Sequence, residues 1–453
     1  MTGMKFKFKL SEVLLVTGTI AAIVLSIVLW IFIMTNDQRF SRLSQTNNGI
    51  SRQQTRSKNT KSNYDLYIPT KAYGFMKGKP YSLYDSKNNL SFEFSNNLQQ
   101  ATVKRIVKMS GSAANYSVLI NNPNFLQLSY PDKVTFNMFA DFGNKKDNRE
   151  FNRFFITSSN KWIYVGNDQT SALYRVYLKN ANFDRLRRYA KNASQKVPIS
   201  FYKISTGYAT FYTQPTKLKV YSYLTNRQSD AYFVSRLLGT SGVSSRTNKK
   251  GVTTYSLSYY TRLSVPTIRS DGPNNYVYTH YDKKDNPDAE VSLTNKLLNS
   301  IDYVHQLGLT EQDLRFFDVD DNGVSYTNYI EGMPVFLNQH DLQIVVGSSS
   351  DSATTVTFNS LNFQIPIPFD GRTTTLEATR KMLNDLENRG MRENEVQRIA
   401  VGYRVEKDNS YNNLVNLIPT YYLKAYGEWK SAEEWAKQDM NLYNLAADRK
   451  GDN

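Results

Sequence analysis

The chain has 453 residues, no cysteine, 56 Lys and Arg against 40 Asp and Glu, and 32 Tyr with 24 Phe, which at roughly 100–200 residues per domain suits two or three folded units. Without thiols, disulfides, thiolate metal sites, a cysteine nucleophile and a lipidated Cys are all excluded. The formal charge of +16 suits an anionic neighbour such as a wall polymer or lipid head groups, but the basic residues are scattered and carry no RNA-binding or helix-turn-helix signature, so no nucleic-acid partner is expected.

In chain order, Lys5, Lys7 and Lys9 precede the uncharged run Val13 to Met34, VLLVTGTIAAIVLSIVLWIFIM. A helix of that length spans about 33 Å, enough for a hydrocarbon core of about 30 Å. The run is too long for a signal-peptide core and ends in Trp30-Ile31-Phe32-Ile33-Met34 rather than a small-residue cleavage site. It predicts a retained transmembrane helix over 13–34 behind a cytoplasmic tail, 1–12. Basic residues on the two sides nearly balance, but long domains translocate largely regardless of charge, so the remainder is expected outside the cell membrane. Gly18, Ala22 and Ser26 recur every four residues and form a small-residue ridge, the candidate contact face for another membrane helix. Residues 35–62, rich in Ser, Thr, Asn, Gln and Arg, read as a flexible stalk.

Beyond the stalk, NYDLYIPTKAYGF, NFLQLSY, RFFITSSNKWIYVG and ALYRVYLK are β-branched and aromatic runs between turn clusters, the pattern of strands. Leu293, Leu297, Ile301 and Val304 repeat at helical spacing before Gly308, and a second helix is expected in TTTLEATRKMLNDLENRG, with Leu376, Leu383 and Leu386 on one side and Gly390 as its stop. Ser431 and Glu434 make an S-x-x-E capping box for a short terminal helix. The expected class is α+β: an N-terminal transmembrane helix followed by a multi-domain extracytoplasmic region of mainly antiparallel sheets with packed helices. Its divisions are an N-terminal domain 63–195, a central domain 196–292, a C-terminal domain 293–430, and a terminal helix and tail 431–453.

No motif carries catalysis convincingly. Asp318, Asp320, Asn322 and Gly323 in DVDDNG match the first half of a calcium loop, but the twelfth position is Tyr329 instead of a bidentate Glu and the flanks look like strands. Asn322-Gly323 between apolar runs predicts a hairpin turn instead. Ser158-Ser159-Asn160-Lys161 has the S-x-x-K spacing of penicillin-recognising serine enzymes without their other triplets, and Gly239-Thr240-Ser241-Gly242 lacks the full nucleophile-elbow spacing. His280, His305 and His340 never occur at metal-ligand spacing, and Glu433-Glu434 and Asp320-Asp321 are adjacent pairs expected in solvent.

Three segments carry a resemblance: RFFDVDDNGVSYTNYIEGMPVF (315–336), VGYRV (401–405) and LVNLIPTYYLKAYGEW (414–429). With the short basic N-terminus and one membrane helix, the chain resembles the YycH (WalH) family of Gram-positive bacteria, departing mildly at Tyr421-Tyr422-Leu423, where the family pattern has a Trp-containing aromatic pair. The resemblance implies a membrane-anchored accessory of the WalK/WalR (YycG/YycF) two-component system, which controls cell-wall metabolism. It also implies a sister protein, YycI, and contact with the sensor kinase WalK partly through membrane helices. No catalytic residue, cofactor or metal is implied. A wall-polymer or ligand-binding module remains an alternative, and an envelope hydrolase would need a cleft with converging carboxylates or a serine-lysine pair.

Overall fold

The computed structural model describes residues 17–26, 63–139, 147–267, 274–281, 292–309, 312–338, 340–348 and 353–451. The chain divides into two compact units, Met1–Thr55 and Arg56–Asn453. In the first, residues 17–26 are helical with exposed side chains. Among the described residues no helix is long and apolar enough to cross a membrane. The remainder of the expected 13–34 span, the 1–12 tail and nearly all of the 35–62 stalk lie outside the described residues.

In the second unit, nine strands form one antiparallel sheet: β1 (Lys71–Met76), β2 (Lys79–Tyr84), β3 (Thr102–Lys108), β4 (Leu126–Thr135), β5 (Glu150–Ile156), β6 (Trp162–Gly166), β7 (Leu173–Lys179), β8 (Gln195–Ile204) and β9 (Gly207–Tyr212). Their order is β3-β7-β6-β5-β4-β1-β2-β8-β9. NYDL, expected as strand, instead forms a turn of helix, α1 (Asn63–Leu66), whose end delivers Tyr67 into the core, where its hydroxyl lies 2.6 Å from that of Tyr326. Three helices flank this sheet's strands in sequence: α2 (Leu90–Gln100), α3 (Ala113–Ile120) and α4 (Asp184–Lys191). α2 and α3 are capped by Asn89 and Ser112, whose side chains accept from backbone N–H groups of the first turn.

After β10 (Thr216–Lys219), a larger sheet takes β11 (Tyr221–Arg227), β12 (Ser244–Thr247), β13 (Thr253–Ser256), β14 (Thr261–Val265), β15 (Asn275–Tyr281), β16 (Leu314–Asp320), β17 (Gly323–Ile330), β18 (Met333–Phe336), β19 (Ile344–Ser348), β20 (Ala353–Asn359) and β21 (Leu361–Pro366). It ends with β23 (Val396–Lys407), β24 (Leu414–Ala425) and β25 (Glu428–Ser431), while β22 (Thr373–Leu376) pairs with β10. The order is β12-β13-β14-β15-β20-β19-β17-β18-β23-β24-β11-β21, with β16 on β17 and β25 on β24. Among the described residues every pairing is antiparallel except β18 with β23. Strands from before and after residue 292 thus share one hydrogen-bonded ladder, through β15 with β20 and β11 with β24.

α5 (Asp230–Leu238) precedes the main bridging helix, α6 (Leu293–Leu307). α6 forms as its apolar period predicts: Ser292 caps it, Leu297, Ile301 and Val304 are buried, and Gly308 ends it at φ +69°. It packs against β4 of the first sheet and β17 and β19 of the second, and a single apolar core containing Phe154 and Phe316 runs across both. The TTTL segment departs from expectation. Leu376 belongs to β22, because the three β-branched threonines pair with β10, and the helix begins later as α7 (Thr379–Glu387), burying Leu383 and Leu386. The Ser431–Glu434 capping box is present and opens α8 (Ala432–Trp435), which is followed by α9 (Met440–Gly451).

Candidate functional site

DVDDNG closes the β16–β17 hairpin, with Asp320 opposite Gly323 across the two-residue turn Asp321-Asn322. The Asn322 N–H donates to Asp320 Oδ1 at 2.8 Å. Gly323 sits at φ +138°, and a Cβ there would lie 2.2 Å from the Val346 carbonyl oxygen of β19, so the neighbouring strand requires glycine.

The acids of this motif serve a buried charge network. Asp318 is 3% exposed. Its Oδ1 takes a hydrogen bond from Arg398 on β23, and its Oδ2 takes bonds from Lys424 on β24 and the Trp429 indole on β25, each at 2.7 Å. Lys424 also reaches Asp320 Oδ2 at 2.6 Å. Arg398 extends to the first sheet, pairing with Asp132 of β4 at 3.0 Å, and Asp132 accepts from the Val319 N–H at 3.1 Å. A register shift in β4 between Ser129 and Val134 puts Asp132 where it can cross to the second sheet. Burial alone would raise the Asp318 carboxyl, but the Arg398 and Lys424 charges outweigh it and hold it well below the usual carboxylate range. Burial pushes Asp132 up to about 6; Arg398 opposes this and the nearby Asp318 charge adds to it. Three carboxylates face two cations here, which favours retaining a proton on the one with the weaker cationic support.

A second buried pair lies nearby. Arg153 of β5, 1% exposed, forks onto Asp168 with its Nη2 2.6 Å from Oδ2 and its Nε 2.9 Å from Oδ1. Tyr116 donates to Asp168 Oδ1 at 2.7 Å, and the guanidinium lies 5.4 Å from the Tyr73 ring centre and 5.1 Å from that of Phe201. Burial first, and then the Asp168 charge, raise the Tyr116 phenol well above its ordinary value.

Between these two networks opens a cleft of about 130 Å³, lined by Lys71 and Tyr73 of β1, Asp132, Tyr208 of β9, Arg398 and Trp429 among others. Burial lowers the Lys71 ammonium to about 8.

The other sequence candidates lie elsewhere. Gly18, Ala22 and Ser26 fall on the helical segment 17–26 with exposed side chains, and space around Gly18 is open. Ser158 to Lys161 form the β5–β6 turn, held by the Thr157 hydroxyl, which accepts from the Ser159 N–H. Gly239 ends α5. The Thr261 hydroxyl lies 3.0 Å from His280 Nδ1, His305 sits on α6, and His340 pairs with Glu434 at 2.9 Å, so the histidines do not converge. Glu433 pairs with Arg404. Among the described residues no group of three or more His, Asp and Glu is placed to hold a metal ion. Sequence reasoning missed Lys71, Asp132, Arg153, Asp168, Arg398 and Lys424. The one local signal was Lys424, a lone charge inside the apolar run LIPTYYLKAY.

Two profiles match the chain: YycH protein, N-terminal domain, over residues 10–195, and YycH protein, C-terminal domain, over residues 210–439. No curated protein matches it. Among solved structures, YycH from Bacillus subtilis superposes with a TM-score of 0.66 at 15% identity, covering 82% of this chain and 97% of that one, which shows a shared fold. An uncharacterized protein from Eubacterium rectale ATCC 33656 reaches a TM-score of 0.28 at 10% identity, over 46% of this chain and 78% of that one. With both domain profiles matched in order over most of its length, the chain belongs to the YycH family.

Proposed function

We propose that this protein is a membrane-anchored accessory regulator of the sensor histidine kinase WalK (YycG), acting with YycI on signalling that controls cell-wall metabolism, with its N-terminus in the cytoplasm and its folded unit outside the cell membrane. The match of both YycH domains carries the reading. A protein of this kind needs no catalytic group: it shifts the kinase between states by binding them unequally. The Gly18, Ala22 and Ser26 ridge is the proposed kinase contact, since small residues let helix backbones approach in lipid.

Cross-linking in membranes followed by affinity purification of the tagged chain should bring down WalK and YycI together; recovery of neither would overturn the proposal. In a bacterial two-hybrid assay, Gly18→Leu with Ala22→Leu should weaken the kinase signal at unchanged membrane level. Thr17→Leu with Val24→Leu should leave it intact, and equal signals from both pairs would remove the ridge as the contact.

A further inference from the structure

We propose that the cleft between β1, β9 and β23 is a binding site for a small monoanionic ligand, a carboxylate with an apolar or aromatic body, whose charge pairs with Lys71. The cleft's other cations are already matched: Arg153 by Asp168, and Arg398 by Asp132 and Asp318. Lys203 donates to the Asp168 carbonyl at 2.7 Å. The Lys71 ammonium has no hydrogen-bond or ion-pair partner among the described residues, although its residue opens a central strand and lines the cleft. Lys71 is half-buried, and an ammonium partly withdrawn from water without a counter-ion is costly.

The surroundings define the missing partner. The buried Thr70 hydroxyl beside Lys71 interacts with the Tyr329 phenol, and both residues line the cleft. Tyr73, Tyr208 and Trp429 supply aromatic walls, and the cleft's volume of about 130 Å³ approaches the roughly 150 Å³ that accommodates benzene in an engineered cavity. Asp132 lines the same cleft and opposes a second negative charge, which favours a carboxylate over a phosphate dianion.

The test uses the full-length chain in nonionic detergent, with its melting temperature followed against sodium benzoate, sodium acetate and inorganic phosphate at constant ionic strength, and sodium chloride as the reference. Benzoate should give a saturable rise larger than that from phosphate; the rise should vanish in Lys71→Met and persist in Lys71→Arg. If Lys71→Met does not fold, competitive acetylation of the parent read by mass spectrometry replaces it, and benzoate should slow acetylation of Lys71 at least threefold relative to the other lysines. The proposal is overturned by no saturable rise with benzoate, by a rise that survives in Lys71→Met, by phosphate matching or exceeding benzoate, or by unprotected Lys71.

Discussion

Replacing Lys424 with methionine keeps the side chain's length and removes its charge. In the parent the ammonium lies 2.7 Å from Asp318 Oδ2 and 2.6 Å from Asp320 Oδ2, in a side chain only 8% exposed. Lys424→Met leaves Asp132, Asp318 and Asp320 with Arg398 alone. Breaking a buried pair by removing one partner costs about 3–5 kcal/mol, because a desolvated charge is left without compensation. For a folded unit of about 400 residues, with an unfolding entropy of about 2 cal/mol/K per residue, this lowers the melting temperature by about 4–6 °C. The loss should depend on pH in a fixed direction. Asp318 is held below its unfolded value in the parent, so its contribution is present above the unfolded pKa and is lost as pH falls toward the folded one. The mutant has less of that contribution to lose. The gap between parent and mutant should therefore hold steady from about pH 8 to about pH 5 and shrink as pH falls below about 4, and Asp318→Asn added to Lys424→Met should recover part of it. Scanning calorimetry of the full-length chain in detergent at several pH values reads all three. A Lys424→Met protein melting within 1 °C of the parent, or a gap independent of pH, would refute the reasoning.

Gly323→Ala should cost about 3–5 kcal/mol, near the top of the range for single substitutions, because its Cβ would strike the β19 backbone; Gly427→Ala, at φ +83° with nothing within 4 Å of its Cβ, should cost only about 1–2 kcal/mol in the same melts. Asp132, raised from 3.8 to about 6, keeps its proton in the folded state up to about pH 6, so its contribution is fully present below about pH 4 and is lost as pH rises through about 6. Asp132→Asn should accordingly gain on the parent by on the order of 2 kcal/mol between pH 4 and pH 7.5, and a difference that stays flat or runs the other way would contradict the assignment.

Features fixed within a few residues were legible in the sequence. The Ser431–Glu434 box and the α6 stripe ending at Gly308 each rest on interactions over one or two turns of chain and are present; the DVDDNG hairpin is present too, but its turn is Asp321-Asn322, one residue before the expected Asn322-Gly323. The helix period over Leu376 misled because a tertiary pairing with β10, far back in the chain, outweighs local propensity for TTTL. The charge network was illegible for the same reason. Asp318 and Asp320 could be weighed as calcium ligands or turn residues, but the lysine that occupies them stands 106 positions later and the arginine 80. Nothing in the run NYDLYIPTKAYGF sets Lys71 apart, and only the folded arrangement places it on a cleft without a counter-ion.

The pairing of β11 with β24 sets a waiting time. Ser222 and Asn416 are hydrogen-bonded across 194 positions of chain, whereas every strand of the nine-stranded sheet is available once Tyr212 has emerged. At about 5–20 residues per second, β11 stands without that partner for about 10–40 s, longer than the millisecond-to-second folding of most small β-rich domains. The first sheet can therefore close while β11 still presents a bare edge, and that unfinished strand is the part of the newborn chain most exposed to pairing with a neighbouring copy.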